Sequence, residues 1–168
     1  EGQATLRSGA QIGDSILVTG TLGDAAVALL GLGYQSHLDS NLELLGRADP
    51  QPLFERYFSP SPRVEFAIGC RGLVNAAIDI SDGLLSDLSH ILRASGLGAE
   101  IEEVTLPSSA TAQACLSEKM LLQACLNGGD DYELCLVVSQ DLKDRVFQAA
   151  KRYEVPLTEV GIIKDEGG

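Results

Sequence analysis

A chain of 168 residues that is 45% hydrophobic and 21% charged can bury a core of its own, which argues against disorder and removes any need for a disulfide or structural metal. Its 24 acidic residues against 12 basic ones leave a net charge of −12, so nucleic acid and anionic membranes are repelled, and no run of Lys or Arg offsets this. Divalent cations lift that exclusion for a phosphorylated ligand, because they can sit between two sets of negative charge.

In chain order, Asp14 to Gly20 reads as a strand, and Asp24 to Leu30 as a helix entered through the turn Thr21-Leu22-Gly23. Residues 32 to 40 read as a polar loop, and Asn41 to Arg47 as a helical turn ahead of Pro50 and Pro52. Pro60-Ser61-Pro62-Arg63 starts a further helix, with Pro62 at a tolerated early position and apolar Val64, Ala67 and Ile68 behind it. Asn75 to Ile80 is a strand. Leu84, Leu85, Leu88, Ile91 and Leu92 then mark one face of a helix that runs to Ser95 and is stopped by Gly96 and Gly98. Ala99 to Leu106 reads as a strand, residues 109 to 126 as one or two short helices, and Asn127-Gly128-Gly129 as a turn. Tyr132 to Val138 is a nearly continuous apolar strand, followed by a helix over Gln140 to Tyr153 and a strand over Leu157 to Ile163.

The expected fold class is therefore mixed α and β: a mixed sheet of about five strands with helices packed on it, in one domain spanning residues 1 to 168. There is no internal repeat and no linker that would divide the chain. Cys70, Cys115, Cys125 and Cys135 are scattered among apolar residues without metal-ligand spacing, and read as buried thiols of a reducing cytosol. With no apolar run of spanning length and no signal peptide, the reading is a soluble, cytoplasmic protein without a membrane partner. The start at Glu1 and the turn-like ending Lys164-Asp165-Glu166-Gly167-Gly168 suggest a piece of a longer protein.

Asp79-Ile80-Ser81-Asp82-Gly83 carries the chemistry. Alternation along a strand puts Asp79 and Ser81 on one face, with Asp82 at the turn into the next helix, so three oxygen-bearing side chains meet at one strand end. Hard cations such as Mg²⁺ take carboxylate oxygens and keep phosphate or water as remaining ligands, so the grouping suits a metal-nucleotide site. A helix cap at Asp82 or Ser81 with Asp79 solvated explains the same spacing. Thr19 to Asp24 resembles a phosphate loop but lacks a P-loop Lys, and a tight turn with Asp24 as helix cap explains it better. Asp130 and Asp131 follow Gly-Gly at the mouth of a buried strand, which fits a site and a turn equally. Arg7 alone is a surface cation, and His90, three residues after Asp87, is one half of a helix-surface pair.

Taken together, Leu6-Arg7-Ser8-Gly9-Ala10, Gly13-Asp14, Val18-Thr19-Gly20-Thr21, Pro60 to Arg63, Ala77 to Leu84 and Gly128 to Leu134 resemble, in order and spacing, the C-terminal half of the thiamine-monophosphate kinases. That family belongs to a superfamily with aminoimidazole ribonucleotide synthetase and selenophosphate synthetase. The resemblance implies a fold like the C-terminal domain of aminoimidazole ribonucleotide synthetase, and direct transfer of the γ-phosphoryl of ATP onto thiamine monophosphate with several Mg²⁺ ions. It implies Asp79 and Asp82 as metal ligands, Ser81 and Arg7 as ATP contacts, and no catalytic residue that forms a covalent intermediate. Asp130 falls where the family has a substrate-contacting Glu; being one methylene shorter, it could leave that contact to Asp131. The resemblance also implies a missing N-terminal half that brings most metal ligands and a homodimer interface, and a missing C-terminal aromatic residue. This chain alone is then expected to be inactive. Another ATP-using enzyme of the superfamily, with a purine or selenide substrate, or a non-catalytic assembly module are the competing readings.

Overall fold

Nearly continuous burial along Ser15–Thr19 and Glu133–Val138 gives these two strands two covered faces, whereas the strands at Ala76–Ile80, Gly98–Ile101 and Leu157–Lys164 are covered in part. The computed structural model describes residues 4–33 and 49–165. In chain order these form β1 (Ser15–Thr19), α1 (Asp24–Gly31), α2 (Gln51–Phe58), α3 (Val64–Gly69), β2 (Ala76–Ile80), α4 (Leu84–Ser95), β3 (Gly98–Ile101), a 3₁₀ turn at Glu103–Thr105, α5 (Ala110–Cys115), α6 (Glu118–Asn127), β4 (Glu133–Val138), α7 (Gln140–Arg152) and β5 (Leu157–Lys164). The strands make one five-stranded sheet in the order β2-β4-β1-β5-β3.

The mixed α and β class with five strands is as expected. The sheet itself is antiparallel at every pairing and not mixed in direction. No strand pairs with its neighbour in sequence, so the helices between strands need not act as parallel crossovers. On one face Ile16, Val18, Ile78, Ile80, Cys135 and Val137 pack against Leu84, Leu88 and Ile91 of α4. On the other, Leu17, Leu136 and Val138 meet Phe66 of α3 and Val146 and Ala150 of α7. Each fully buried aliphatic side chain contributes about 2 kcal/mol, so α4 is held chiefly by this stripe. A third cluster joins Val27, Leu30, Leu53, Ala112 and Ala124, which fastens α1 to α2, α5 and α6.

Several local expectations change. The strand expected over Ala99 to Leu106 ends at Ile101, and the 3₁₀ turn that follows leaves Val104 almost fully exposed. Helix α3 starts only at Val64, beyond Pro62, and it buries Phe66 while Val64 and Ile68 stay exposed. Leu85 also faces solvent, because the neighbouring Leu84 and Leu88 already fill the contact with the sheet. Helix α2 was not anticipated. Its prolines sit at the N-terminal end, where a missing N–H costs nothing. The expected turn over Asn41 to Arg47 lies outside the described residues.

β2 is an edge strand, and the segment before β1 runs beside it: the Ala77 N–H donates to the Leu6 carbonyl at 3.0 Å. This contact sets Arg7 next to the strand that carries Asp79.

Candidate active site

At the end of β2, Ile80 is buried while Asp79 and Asp82 are exposed and Ser81 is half-buried. Pleating accounts for this, since successive side chains leave opposite faces. The turn into α4 is clamped from within. Asp87, buried in the first turn of that helix, accepts the backbone N–H groups of Ser81 and Asp82, both at 2.9 Å. This corrects the surface pairing expected of Asp87 with His90; the His90 ring lies instead against Arg93, at 3.3 Å. The cap position of α4 is Gly83 and no side chain caps it, so the carboxylates of Asp79 and Asp82 are not used as helix caps. Neither makes a hydrogen bond or ion pair with any side chain among the described residues. Two exposed, unpaired carboxylates on a fixed turn suit a hard cation. Among the described residues, however, no third acidic, His or Cys side chain joins them in a metal-binding group.

The loop before β4 is pressed onto this turn. A Cβ on Gly129 would stand 2.5 Å from the Ser81 carbonyl oxygen, and one on Gly83, whose φ is +106°, would stand 2.9 Å from the backbone of Asn127. Both positions therefore require glycine. The Asp130 N–H donates to the Ser81 carbonyl at 2.9 Å and the Tyr132 N–H to the Ile80 carbonyl at 2.8 Å. Between them Asp131 turns inward and accepts the N–H of Gly23 at 2.7 Å and of Ala25 at 3.4 Å. It is Asp131, from a distant loop, that caps α1. Asp24, expected as the cap, instead accepts the hydroxyls of Thr21 and Ser109. Burial pushes the Asp131 carboxyl up to about 7, although the two N–H bonds act the other way.

Glu133 follows, fully buried at the start of an apolar strand. Arg63 holds it with a guanidinium fork at 2.8 and 2.7 Å, Thr19 donates at 2.6 Å and Arg56 adds an ion pair at 2.9 Å. Burial alone would raise this carboxyl; the Arg63 and Thr19 bonds and the charges of both arginines outweigh it and hold it below the ordinary value. Arg63 is raised in turn by its bond to Glu133. The cluster ties α2 and the approach to α3 to the sheet end beneath the site. Arg56 and Glu133 were not singled out from sequence, although an acid inside an apolar strand signals a buried partner.

Arg7 and Asp79 line one cavity of about 670 Å³, with Leu6, Val64, Ile68 and Leu134 among its walls. Arg7 and Asp79 thus share the wall of one cavity, and Asp130 meets Ser81 through their backbones. Asp131 lies apart, buried in its capping role. All four cysteines are buried and unpaired, as expected, and burial raises the thiols of Cys70 to about 11 and of Cys125 and Cys135 to about 12.

The chain is thus an antiparallel α/β domain in which exposed Asp79, near the end of the edge strand, shares a cavity with Arg7 and Arg71, and exposed Asp82 follows in the next turn. The chain belongs to the family described as AIR synthase related protein, C-terminal domain, which residues 11–168 match. It is 40% identical over 160 residues to the thiamine-monophosphate kinase of Escherichia coli strain K12, covering 95% of this chain and 47% of that protein. The crystal structure of thiamine-monophosphate kinase from Stenotrophomonas maltophilia K279a is 38% identical, with a TM-score of 0.84 over 98% of this chain and 51% of that one. AaThiL complexed with AMPPCP and TMP superposes with a TM-score of 0.72 at 29% identity, over 96% of this chain and 48% of that one. The chain spans about half the length of the curated relatives it matches. The resemblance read from the sequence motifs is borne out.

Proposed function

We propose that this chain is the C-terminal half of an ATP-dependent kinase that converts thiamine monophosphate to thiamine diphosphate. The observation that carries the proposal is the pair of exposed, unpaired carboxylates, Asp79 and Asp82, on a turn that Asp87 holds rigid. The AaThiL complex with AMPPCP and TMP supports the choice of ATP and thiamine monophosphate as its two ligands.

In the reaction an oxygen of the thiamine phosphate attacks the γ-phosphorus of ATP in line, and the bond to the ADP oxygen breaks. No covalent bond to the protein forms. Asp79 and Asp82 would hold Mg²⁺, which supplies charge neutralisation between the two phosphate groups when bound. Arg7, beside Asp79 in the shared cavity, offers a guanidinium to the ATP phosphates, and Ser81 a hydroxyl. Asp130 stands at the substrate end; Asp131 is already committed to the N–H groups of α1, which favours Asp130 as the direct contact. Several Mg²⁺ ions would need more ligands than these residues provide; on this reading an N-terminal half would supply them, together with a homodimer interface. Buried, unpaired thiols accord with a reducing cytoplasm.

The test is an assay of the full-length protein with ATP, Mg²⁺ and thiamine monophosphate. Thiamine diphosphate and ADP should appear in equal amounts, and the 168-residue chain alone should produce neither. A full-length protein that forms no thiamine diphosphate would sink the proposal.

A further inference from the structure

The segment Pro60-Ser61-Pro62-Arg63 leads into α3 and has no assigned part in the reaction. Two prolines within three residues fix the backbone φ of this approach, which limits where the next side chain can point. Arg63, at the N-terminal boundary of α3, places its guanidinium fork on the fully buried carboxylate of Glu133, at 2.8 and 2.7 Å. A planar fork on a carboxylate fixes direction as well as distance. Helix α3 has little else to hold its first turn: it is six residues long, no side chain caps it, and Phe66 is its one buried residue.

The two ends of this bond belong to different walls of one cavity. On the α3 side, Val64, Ala67 and Ile68, with Cys70 and Arg71 just beyond, line the cavity of about 670 Å³ that also holds Arg7 and Asp79. On the sheet side, Glu133 starts β4 opposite Ile80, and the next cross-strand pair, Leu134 and Asp79, lies in the cavity wall. Thr19 closes the corner between them. Its hydroxyl donates to Glu133 at 2.6 Å and accepts the Leu134 N–H at 2.8 Å, so the carboxylate cannot turn without disturbing the start of β4. Arg56 binds the same carboxylate at 2.9 Å, but it stands on α2, none of whose residues lines the cavity.

We propose that Arg63 and Glu133 are a positioning pair for the nucleotide: their bond holds the α3 wall at a fixed distance from the strand that carries Asp79, and so sets the width of the cavity in which Arg7 and Asp79 meet the ATP phosphates. This rests on the reading of the site as that of an ATP-dependent kinase. Neither residue of the pair touches the nucleotide. A buried fork suits the task, because two parallel bonds tolerate little sliding, whereas an apolar contact such as that of Phe66 can repack. Arg56 then has a different part, fastening α2 to the same carboxylate without bearing on the cavity. The effect of losing the pair is one of geometry, and a displacement of about 1 Å away from the chemistry can cost as much as about a hundredfold.

The experiment uses the full-length enzyme with Arg63→Gln, Arg63→Lys and Arg56→Gln, assayed well below the melting temperature of each. It reads melting, KM for ATP and for thiamine monophosphate, and the alkylation rate of Cys70, which lines the cavity at the end of α3 yet is buried. Peptide masses distinguish Cys70 from the other thiols. Both glutamine variants should melt lower, because each leaves the buried Glu133 carboxylate with one cation fewer. Arg63→Gln should raise KM for ATP about tenfold and Cys70 alkylation about fivefold, with KM for thiamine monophosphate within about twofold. Arg63→Lys, which keeps the charge and loses the fork, should raise KM for ATP about threefold. Arg56→Gln should leave KM for ATP and Cys70 alkylation within about twofold of wild type. Equal KM increases in the two glutamine variants, or none in either, would reduce the pair to a stabilising contact and overturn the proposal, as would an unchanged Cys70 rate in Arg63→Gln. If Arg63→Gln does not fold, Arg63→Lys decides by the same readings. A wild type that makes no thiamine diphosphate overturns the functional reading instead, and Cys70 alkylation then decides the pair alone.

Discussion

Asp131 and Glu133 are two buried acids two positions apart, and their surroundings drive them in opposite directions. Asp131, whose burial is only partly offset by two N–H donors and the charge of Arg56, is raised to about 7 from an ordinary 3.8. Across that window the folded chain keeps a proton that the unfolded chain has released, so stability falls as pH rises from about 4 to about 7 and stays lower above it. Asp131→Asn should flatten that part of the profile by an amount on the order of a few kcal/mol, seen as a smaller difference between urea midpoints at pH 5 and pH 8 than wild type shows. Glu133 is held below its ordinary 4.5, so its own contribution is lost only as pH falls further and does not confuse that comparison. An unchanged difference between the two midpoints in the Asn variant would contradict the assignment. Asp79, Ser81, Asp82 and Asp130 could be picked out in the sequence because glycine turns and acids at a strand end are local signals. The partners of Asp87 and Asp131 could not, because each is fixed by burial against elements distant in sequence or facing away from solvent.

At the scale of elements, two glycines hold the β2–α4 turn and the α6–β4 loop in backbone contact. Gly129→Ala would push a methyl against the Ser81 carbonyl, and both loops would have to part. Overpacking of this kind costs about 1–3 kcal/mol. The cost should appear as a lower urea midpoint, and in the full-length enzyme as weaker Mg²⁺ activation, since the moved turn carries Asp79 and Asp82. Stability and Mg²⁺ activation equal to wild type would show that the contact does not shape the site. Most elements were legible from periodicity: the strands at Ser15–Thr19, Ala76–Ile80 and Glu133–Val138 and the helix at Leu84–Ser95 lie close to their expected bounds. α2 was not, because Leu53 is its one fully buried residue and two prolines flank its start. The antiparallel order was equally hidden, since strand pairing is set by the long-range packing of non-consecutive strands and leaves no local mark.

For the whole molecule, a net charge of −12 and the proposed phosphate ligand are reconciled if cations intervene, and Asp79 with Asp82 is the place proposed for them. The most direct measurement is the Mg²⁺ dependence of thiamine diphosphate formation by the full-length protein with Asp79→Asn. The side chain is exposed and has no partner among the described residues, so the substitution should leave melting unchanged. Turnover should fall by about a hundredfold and require more Mg²⁺ for half-activation. Turnover and Mg²⁺ dependence equal to wild type would contradict the assignment of this strand end to the metal-bound phosphate.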